Sequence, residues 1–215
     1  MSLLTEISEL LQRGKAAEVK DLVQKALDEG TEARAILEEG LLHGMGVIGG
    51  KFKNNEVYVP EVLIAARAMN AGSEILKPHL ASAGVEASGT VILGTVKGDL
   101  HDIGKNLVRM MMEGKGLEVI DLGVDVPPEK FLTSAIERNA DIIACSALLT
   151  TTMTEMKNVV ETVAGEGHRD RFRIMVGGAP VTESFCNSVG ADVYAPDASS
   201  AADAAVALCR EKRAG

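Results

Sequence analysis

The sequence predicts an α/β chain with two regions, a small helical bundle followed by a doubly wound parallel sheet. Three observations predict it. Residues 1 to about 80 repeat apolar side chains at helical spacing throughout. From residue 90 onward, short β-rich runs alternate with stretches of helical length. Between them, ASAGVEASG at 81–89 has the small-residue, glycine-containing composition of a linker. The division is set at residue 85, giving a helical domain over residues 1–85 and an α/β domain over residues 86–215.

The elements follow in order. Leu3, Leu4, Ile7, Leu10 and Leu11 mark a first helix that Gly14 stops. Val19, Leu22, Val23, Ala26 and Leu27 mark a second, ending at Gly30. Thr31 is placed to cap a third with Ile36, Leu37, Leu41 and Leu42. Pro60 fits the first turn of a fourth, where its missing N–H costs nothing. That helix carries Leu63, Ala66, Met69 and Leu76. Four amphipathic helices with short joints make a four-helix bundle. Strands are predicted at 90–96, 117–122, 141–146, 173–176 and 192–194, each followed by an amphipathic segment. Five such units fit a flavodoxin-like, Rossmann-type sheet covered on both faces. Ligands in that architecture bind beyond the carboxyl ends of the strands.

Composition narrows the function classes. Hydrophobic residues make up 46% and charged residues 25%, ordinary for a globular chain. Aromatics are 3%, Trp is absent and the net charge is −9, which argues against nucleic acid as a partner. No apolar run approaches the length of a membrane span, and no signal peptide opens the chain. Cys145, Cys186 and Cys209 show no C-x-x-C spacing, so neither a disulfide framework nor a zinc site is expected, and a cytoplasmic location is. Cys145 ends an apolar run and reads as a small buried hydrophobe.

The chemistry gathers after the strands. Behind the first comes Gly98-Asp99-Leu100-His101-Asp102-Ile103-Gly104, which contains D-x-H-x-x-G. A neutral imidazole can face a metal through one nitrogen while the other donates to a carboxylate, which fixes the tautomer. Asp99 is placed to be that carboxylate. Gly104 lets a bulky ligand approach the backbone. His168, in the polar stretch GEGHRDR, is expected to be exposed. A single protein ligand implies a cofactor that brings its own equatorial ligands, haem or corrin. Behind the third strand stands Ser146-Ala147-Leu148-Leu149-Thr150-Thr151-Thr152, in which Thr152 could equally cap the next helix. Gly177-Gly178 behind the fourth offers a wall without side chains. Tyr194-Ala195-Pro196-Asp197-Ala198 follows the fifth, with Asp197 also able to cap a helix. Each segment is weak alone; together they converge on one sheet edge.

In this conjunction the chain resembles the cobalamin-binding module of cobalamin-dependent methionine synthase. It is more similar still to the corrinoid proteins of methylamine, methanol and methoxyarene methyltransferase systems. GTVKGDLHDIGKNLV carries that family's D-x-H-x-x-G motif, SALLTTTM its S-x-L segment and VGGAP its G-G segment. The resemblance implies cobalamin or a related corrinoid bound base-off, with His101 as the lower ligand of cobalt. It implies that Asp99 bonds His101 and that Thr152, where methionine synthase has serine, completes a proton relay. Gly98, Leu100, Asp102, Ile103 and Gly104 would meet the cofactor around this loop. Ser146, Leu148, Thr150, Gly177 and Gly178 would line the nucleotide tail, and Tyr194, Ala195, Asp197 and Ala198 would close its far end. By the same resemblance GMGVIGGKFKNNEVYVPEV belongs to a helical cap, with Phe52, Val59 and Val62 against the upper corrin face. Val62 is as well suited to the bundle's own core.

The function implied is a methyl carrier, non-catalytic or co-catalytic. It would shuttle a methyl group between a substrate-specific methyltransferase and a second methyltransferase through Co(I) and methyl-Co(III). The acceptor would be tetrahydrofolate or a thiol, and a reductive activase would be a further partner. Two other classes compete. A cobalamin sensor would be expected to carry a DNA-binding domain, and a mutase small subunit shares the motif without this helical half.

Overall fold

The computed structural model describes residues 2–84 and 87–214. The boundary set at residue 85, and some of the linker predicted at 81–89, lie outside the described residues. Ala81 and Ser82, predicted as linker, instead finish a helix. The chain divides into two compact units. One runs through Ala87 and includes Gly114–Gly116; the other holds Ser88–Glu113 and continues from Leu117.

The first unit is helical. It contains α1 (Leu3–Gln12), α2 (Ala16–Asp28), a short α3 (Ala33–Ala35), a π-helical stretch Ile36–Leu42, α4 (His43–Lys53) and α5 (Val59–Ser82). The predicted third helix has Glu32 and not Thr31 at its N-cap, with no side-chain cap bond, because the helical turns begin only at Ala33; from there it runs on unbroken to Lys53. Ser2 caps α1 by accepting from Thr5 N–H at 3.2 Å. Gly14 ends that helix in the left-handed region, at φ 69°, which glycine adopts without steric cost. Pro60 lies in the first turn of α5, and Tyr58 N–H donates to Glu61 across that turn at 3.0 Å. Ile7, Leu11, Val23, Leu41, Met45, Ile48 and Leu76 are all buried, the apolar stripes the spacing predicts.

The second unit is a five-stranded, all-parallel sheet in the order β2-β1-β3-β4-β5. Its strands are β1 (Thr90–Thr95), β2 (Glu118–Asp121), β3 (Ile142–Ser146), β4 (Arg173–Gly177) and β5 (Val193–Ala195). The helices are α6 (Ile103–Glu113), α7 (Pro128–Glu137), α8 (Met153–Gly165), α9 (Glu183–Val189) and α10 (Ala198–Ala214). This is the flavodoxin-like order. Ile92, Ile143, Ile174 and Val176 of the sheet pack with Phe131, Met156, Val159 and Val163 of α7 and α8 in one buried core. Gly94 makes room for this: a Cβ there would stand 2.8 Å from the Phe131 ring.

Register puts the candidate site on one line. Thr95 pairs with Ser146, Ser146 with Gly177, and Gly177 with Ala195. The loops that leave β1, β3, β4 and β5 therefore start level with one another. The strand order reverses between β1 and β3, and a crevice opens at such a point in doubly wound sheets. No described helix is long and apolar enough to cross a membrane.

Candidate functional site

The site is organised around Asp99, four residues past the end of β1. Its side chain is fully buried and accepts five hydrogen bonds. Oδ1 takes His101 Nδ1–H at 2.7 Å and His101 N–H at 3.1 Å. Oδ2 takes Thr152 Oγ1–H at 2.7 Å, Leu148 N–H at 2.8 Å and Leu149 N–H at 3.3 Å. Burial alone would push its pKa up. The donors, led by Leu148 N–H and followed by Thr152 and His101, overcome this and hold the carboxyl well below the usual carboxylate range.

That ionisation decides the histidine's chemistry. An ionised carboxylate only accepts, so Nδ1 must be the nitrogen that donates. In the neutral ring Nε2 then carries the lone pair. The His101 side chain is 50% exposed, so this nitrogen belongs to a ring that a ligand can reach. The main chain of His101 is fixed as well: buried Thr95 donates its hydroxyl to His101 O at 2.8 Å.

Large apolar side chains stand exposed next to His101 in the chain and on the loop after β3. Leu100 is 71% exposed, Ile103 78%, Leu148 43% and Leu149 42%. Exposed apolar groups gathered in this way mark a binding face. Gly104 has nothing within 4 Å of the position its Cβ would take. One imidazole of fixed tautomer, with exposed apolar side chains on the same loops, fits a planar macrocycle that supplies the remaining ligands of its metal. Among the described residues, no three His, Cys, Asp or Glu side chains gather as a metal site.

The other predicted residues divide. Thr152 precedes α8 but makes no side-chain cap bond. Its single hydroxyl hydrogen has two acceptors instead, Asp99 Oδ2 and, at 2.9 Å, Leu149 O. Ser146 ends β3 and is half-buried, and Thr150 is exposed on the β3–α8 connection that supplies the Leu148 and Leu149 amides. Gly178 lacks a side chain for the chain's own sake. Its φ is 133°, and a Cβ would stand 1.9 Å from Ala147 O, an overlap that exists with or without a ligand. At Gly177 a Cβ would meet only Ala195 O, at 3.1 Å. Asp197 does cap α10: it accepts from Ser200 N–H and from the Ser200 hydroxyl, both at 2.8 Å. Asp102 faces along α6 and accepts from Asn106 at 3.1 Å. Tyr194 is half-buried, while Ala195 and Ala198 are buried. In the helical unit Val62 is fully buried, and Phe52 and Val59 are half-buried. His168, expected to be exposed, is half-buried with its ring centroid 6.1 Å from that of Phe172. The three cysteines are buried, and burial pushes the Cys145 thiol up to about 12.

Three contributors to this site were not among the residues the sequence singled out. Thr95 supplies a hydroxyl, Leu149 an amide, and Asp125 a second brace to the loop, since its N–H donates to Asp99 O at 3.0 Å. A signal existed for two of them. Thr95 is a hydroxyl at the carboxyl end of an otherwise apolar strand, and Asp125 is an acid in the turn just past another.

Comparison with known proteins agrees with this geometry. Residues 89–206 match the family described as B12 binding domain, and residues 3–77 match a second family of the same description. A corrinoid protein of Desulfitobacterium hafniense is 40% identical over 208 residues, covering 95% of this chain and 96% of that one. Dimethylamine corrinoid protein 2 of Methanosarcina acetivorans is 43% identical over 201 residues, covering 93% and 92%. Among solved structures, a chain of the methanol:cobalamin methyltransferase complex of Methanosarcina barkeri superposes with a TM-score of 0.87 at 30% identity. It covers 98% of this chain and 84% of that one.

Proposed function

The chain belongs to the corrinoid proteins with B12-binding domains, and on that premise we propose that it carries methyl groups between methyltransferases on a corrinoid ligated by His101. The observation that carries this reading is the 2.7 Å bond from His101 Nδ1 to a fully buried, ionised Asp99. It supports Nε2 as the lower ligand of the cofactor's cobalt.

When bound, the corrinoid supplies a cobalt centre that accepts a methyl group and gives it up again. The chain's own residues do the rest. Asp99 holds the imidazole tautomer and orients the ring. The Thr152 hydroxyl, poised between Asp99 Oδ2 and Leu149 O, is the partner through which a proton could reach or leave that pair. Leu100, Ile103, Leu148 and Leu149, all exposed, offer the corrinoid an apolar surface on the loops that carry His101 and the Asp99 donors. Ser146, Thr150, Gly177, Gly178 and residues 194–198 are the candidates to hold the cofactor's tail. The relatives support a substrate-specific methyltransferase as one partner. A second methyltransferase, with tetrahydrofolate or a thiol as acceptor, and a reductive activase complete the proposal, in the cytoplasm.

The test of ligation is His101→Ala loaded with cob(II)alamin. Loss of imidazole nitrogen coupling from the cobalt resonance signal, with weaker binding, is expected. Unchanged coupling would remove His101 from the metal. Carrier function is read with a labelled methyl donor and the partner enzymes: label must reach the acceptor only when this protein is present.

A further inference from the structure

We propose that Asp125, on the connection between β2 and α7, is a positioning residue that sets the geometry of the His101 ligand. The proposal rests on His101 ligating the corrinoid and adds a residue to that site.

The connection at 123–126 is tied to the segment 95–99 by four hydrogen bonds. Thr95 N–H donates to Gly123 O at 3.0 Å, and Val126 N–H donates to Thr95 O at 3.0 Å. Asp125 N–H donates to Asp99 O, also at 3.0 Å. These three use main chain on both sides, and any residue could supply them. The fourth does not: Asp125 Oδ1 accepts from Gly98 N–H at 2.7 Å. Asp125 thus grips both sides of one peptide turn, the N–H of Gly98 and the carbonyl of Asp99.

The backbone argues that this grip has a cost. Asp125 has φ 52°, in the left-handed region that non-glycine residues rarely occupy and that Asp and Asn tolerate best. Gly98, its partner, has φ 79°. If only the turn mattered, glycine at 125 would suit it better. An acid there keeps an acceptor aimed at the Gly98 amide. The consequence reaches the imidazole through Asp99, whose Oδ1 bonds both the N–H and Nδ1 of His101. A turn that loosens at Gly98 lets Asp99 tilt, and the ring tilts with it.

Asp125→Gly keeps the backbone conformation and removes the acceptor. Asp125→Asn keeps an acceptor oxygen and removes the charge. Each full-length variant is compared with wild type in two ways. In the apoprotein, the nitrogen-15 resonances of His101 report how firmly Nδ1 holds its proton. In protein loaded with cob(II)alamin, the resonance signal reports imidazole coupling, and titration reports affinity. Asp125→Gly should mix the two His101 tautomers, reduce the fraction with imidazole coupling and weaken corrinoid binding about tenfold, the equivalent of about 1.4 kcal/mol. Its melting temperature should stay near that of wild type, and Asp125→Asn should restore the wild-type signals.

Wild-type behaviour of Asp125→Gly in all three readouts would overturn the proposal. Equal loss in Asp125→Asn would also overturn it, because charge and not the Gly98 bond would then be responsible. His101→Ala, run beside them, separates this result from the premise. If that variant keeps imidazole coupling, the ligation reading fails whatever Asp125 does.

Discussion

Asp99 stands in the loop after β1 and Asp121 at the end of neighbouring β2, and each is held ionised by different means. Asp99 is held by neutral donors from two loops, and no Lys or Arg among the described residues pairs with it. Asp121, the last residue of β2, is held by cations. The Lys105 ammonium, itself only 2% exposed, donates to Asp121 Oδ1 at 2.6 Å and Oδ2 at 2.5 Å, and Arg109 lies 3.6 Å from Oδ2. Burial opposes ionisation at both. Lys105 and the Gly123 N–H overcome it at Asp121, whose carboxyl also falls below its ordinary value. The difference separates two uses of a buried charge. At Asp121 the charge is cancelled where it stands and fixes α6 against β2. At Asp99 it is left for His101, where it fixes the tautomer that the proposed metal ligation requires.

Breaking the ion pair should have the largest effect. Lys105→Met removes the buried partner of Asp121, leaves it only Arg109 at 3.6 Å, and should cost about 3 kcal/mol in denaturant unfolding. Replacing both, Lys105→Met with Asp121→Leu, should recover most of that loss. No recovery would mean that Lys105 stabilises by something other than the pair.

Asp99→Asn tests the other arrangement. The amide nitrogen cannot accept, so at least one buried donor loses its partner, at a cost of about 1–3 kcal/mol. In contrast to the ion pair, the loss should come with a mixed tautomer at His101, visible in nitrogen-15 spectra of the apoprotein. A single tautomer in that variant would break the assignment of Asp99 as the orienting group.

Acid sharpens the contrast further. The folded-state pKa of Asp121 is depressed below the unfolded value of about 3.9. Its stabilisation is therefore complete above that value and is lost as pH falls toward the folded one. Asp121→Asn should be less stable than wild type at neutral pH and should show a flatter decline below about pH 4. An identical slope for variant and wild type would show that Asp121 is not linked to folding in this range.

Thr152 should give the smallest change. Thr152→Val removes one of five donors and should cost about 1 kcal/mol, while Thr152→Ser, which keeps the hydroxyl, should sit near wild type in melting. Equal loss in both would assign the effect to the methyl group and its packing.

Much of this was legible in the chain alone. Hydrophobic period and turn residues placed four helical segments and five strands, because both signals are local consequences of backbone geometry. The alternation after residue 90 pointed to the parallel sheet, and the strand-end rule to the edge on which ligands bind. D-x-H-x-x-G marked Asp99 and His101, which are close enough in sequence for their pairing to be a local matter. Linear spacing could not reveal what joins residues far apart. Asp99 and Thr152 are separated by 53 positions, and Lys105 and Asp121 by 16. The register of β1 with β3 brings the first pair together, and the packing of α6 on β2 the second. Gly178 shows the same limit: its missing side chain reads as space for a ligand, but the fold itself already requires glycine there, since a Cβ would overlap Ala147 O. The sequence determined which residues could do chemistry and at which strand ends they stand. Only the tertiary structure decided which donors reach which carboxylate, because hydrogen bonds act over about 3 Å and only folding brings distant segments that close.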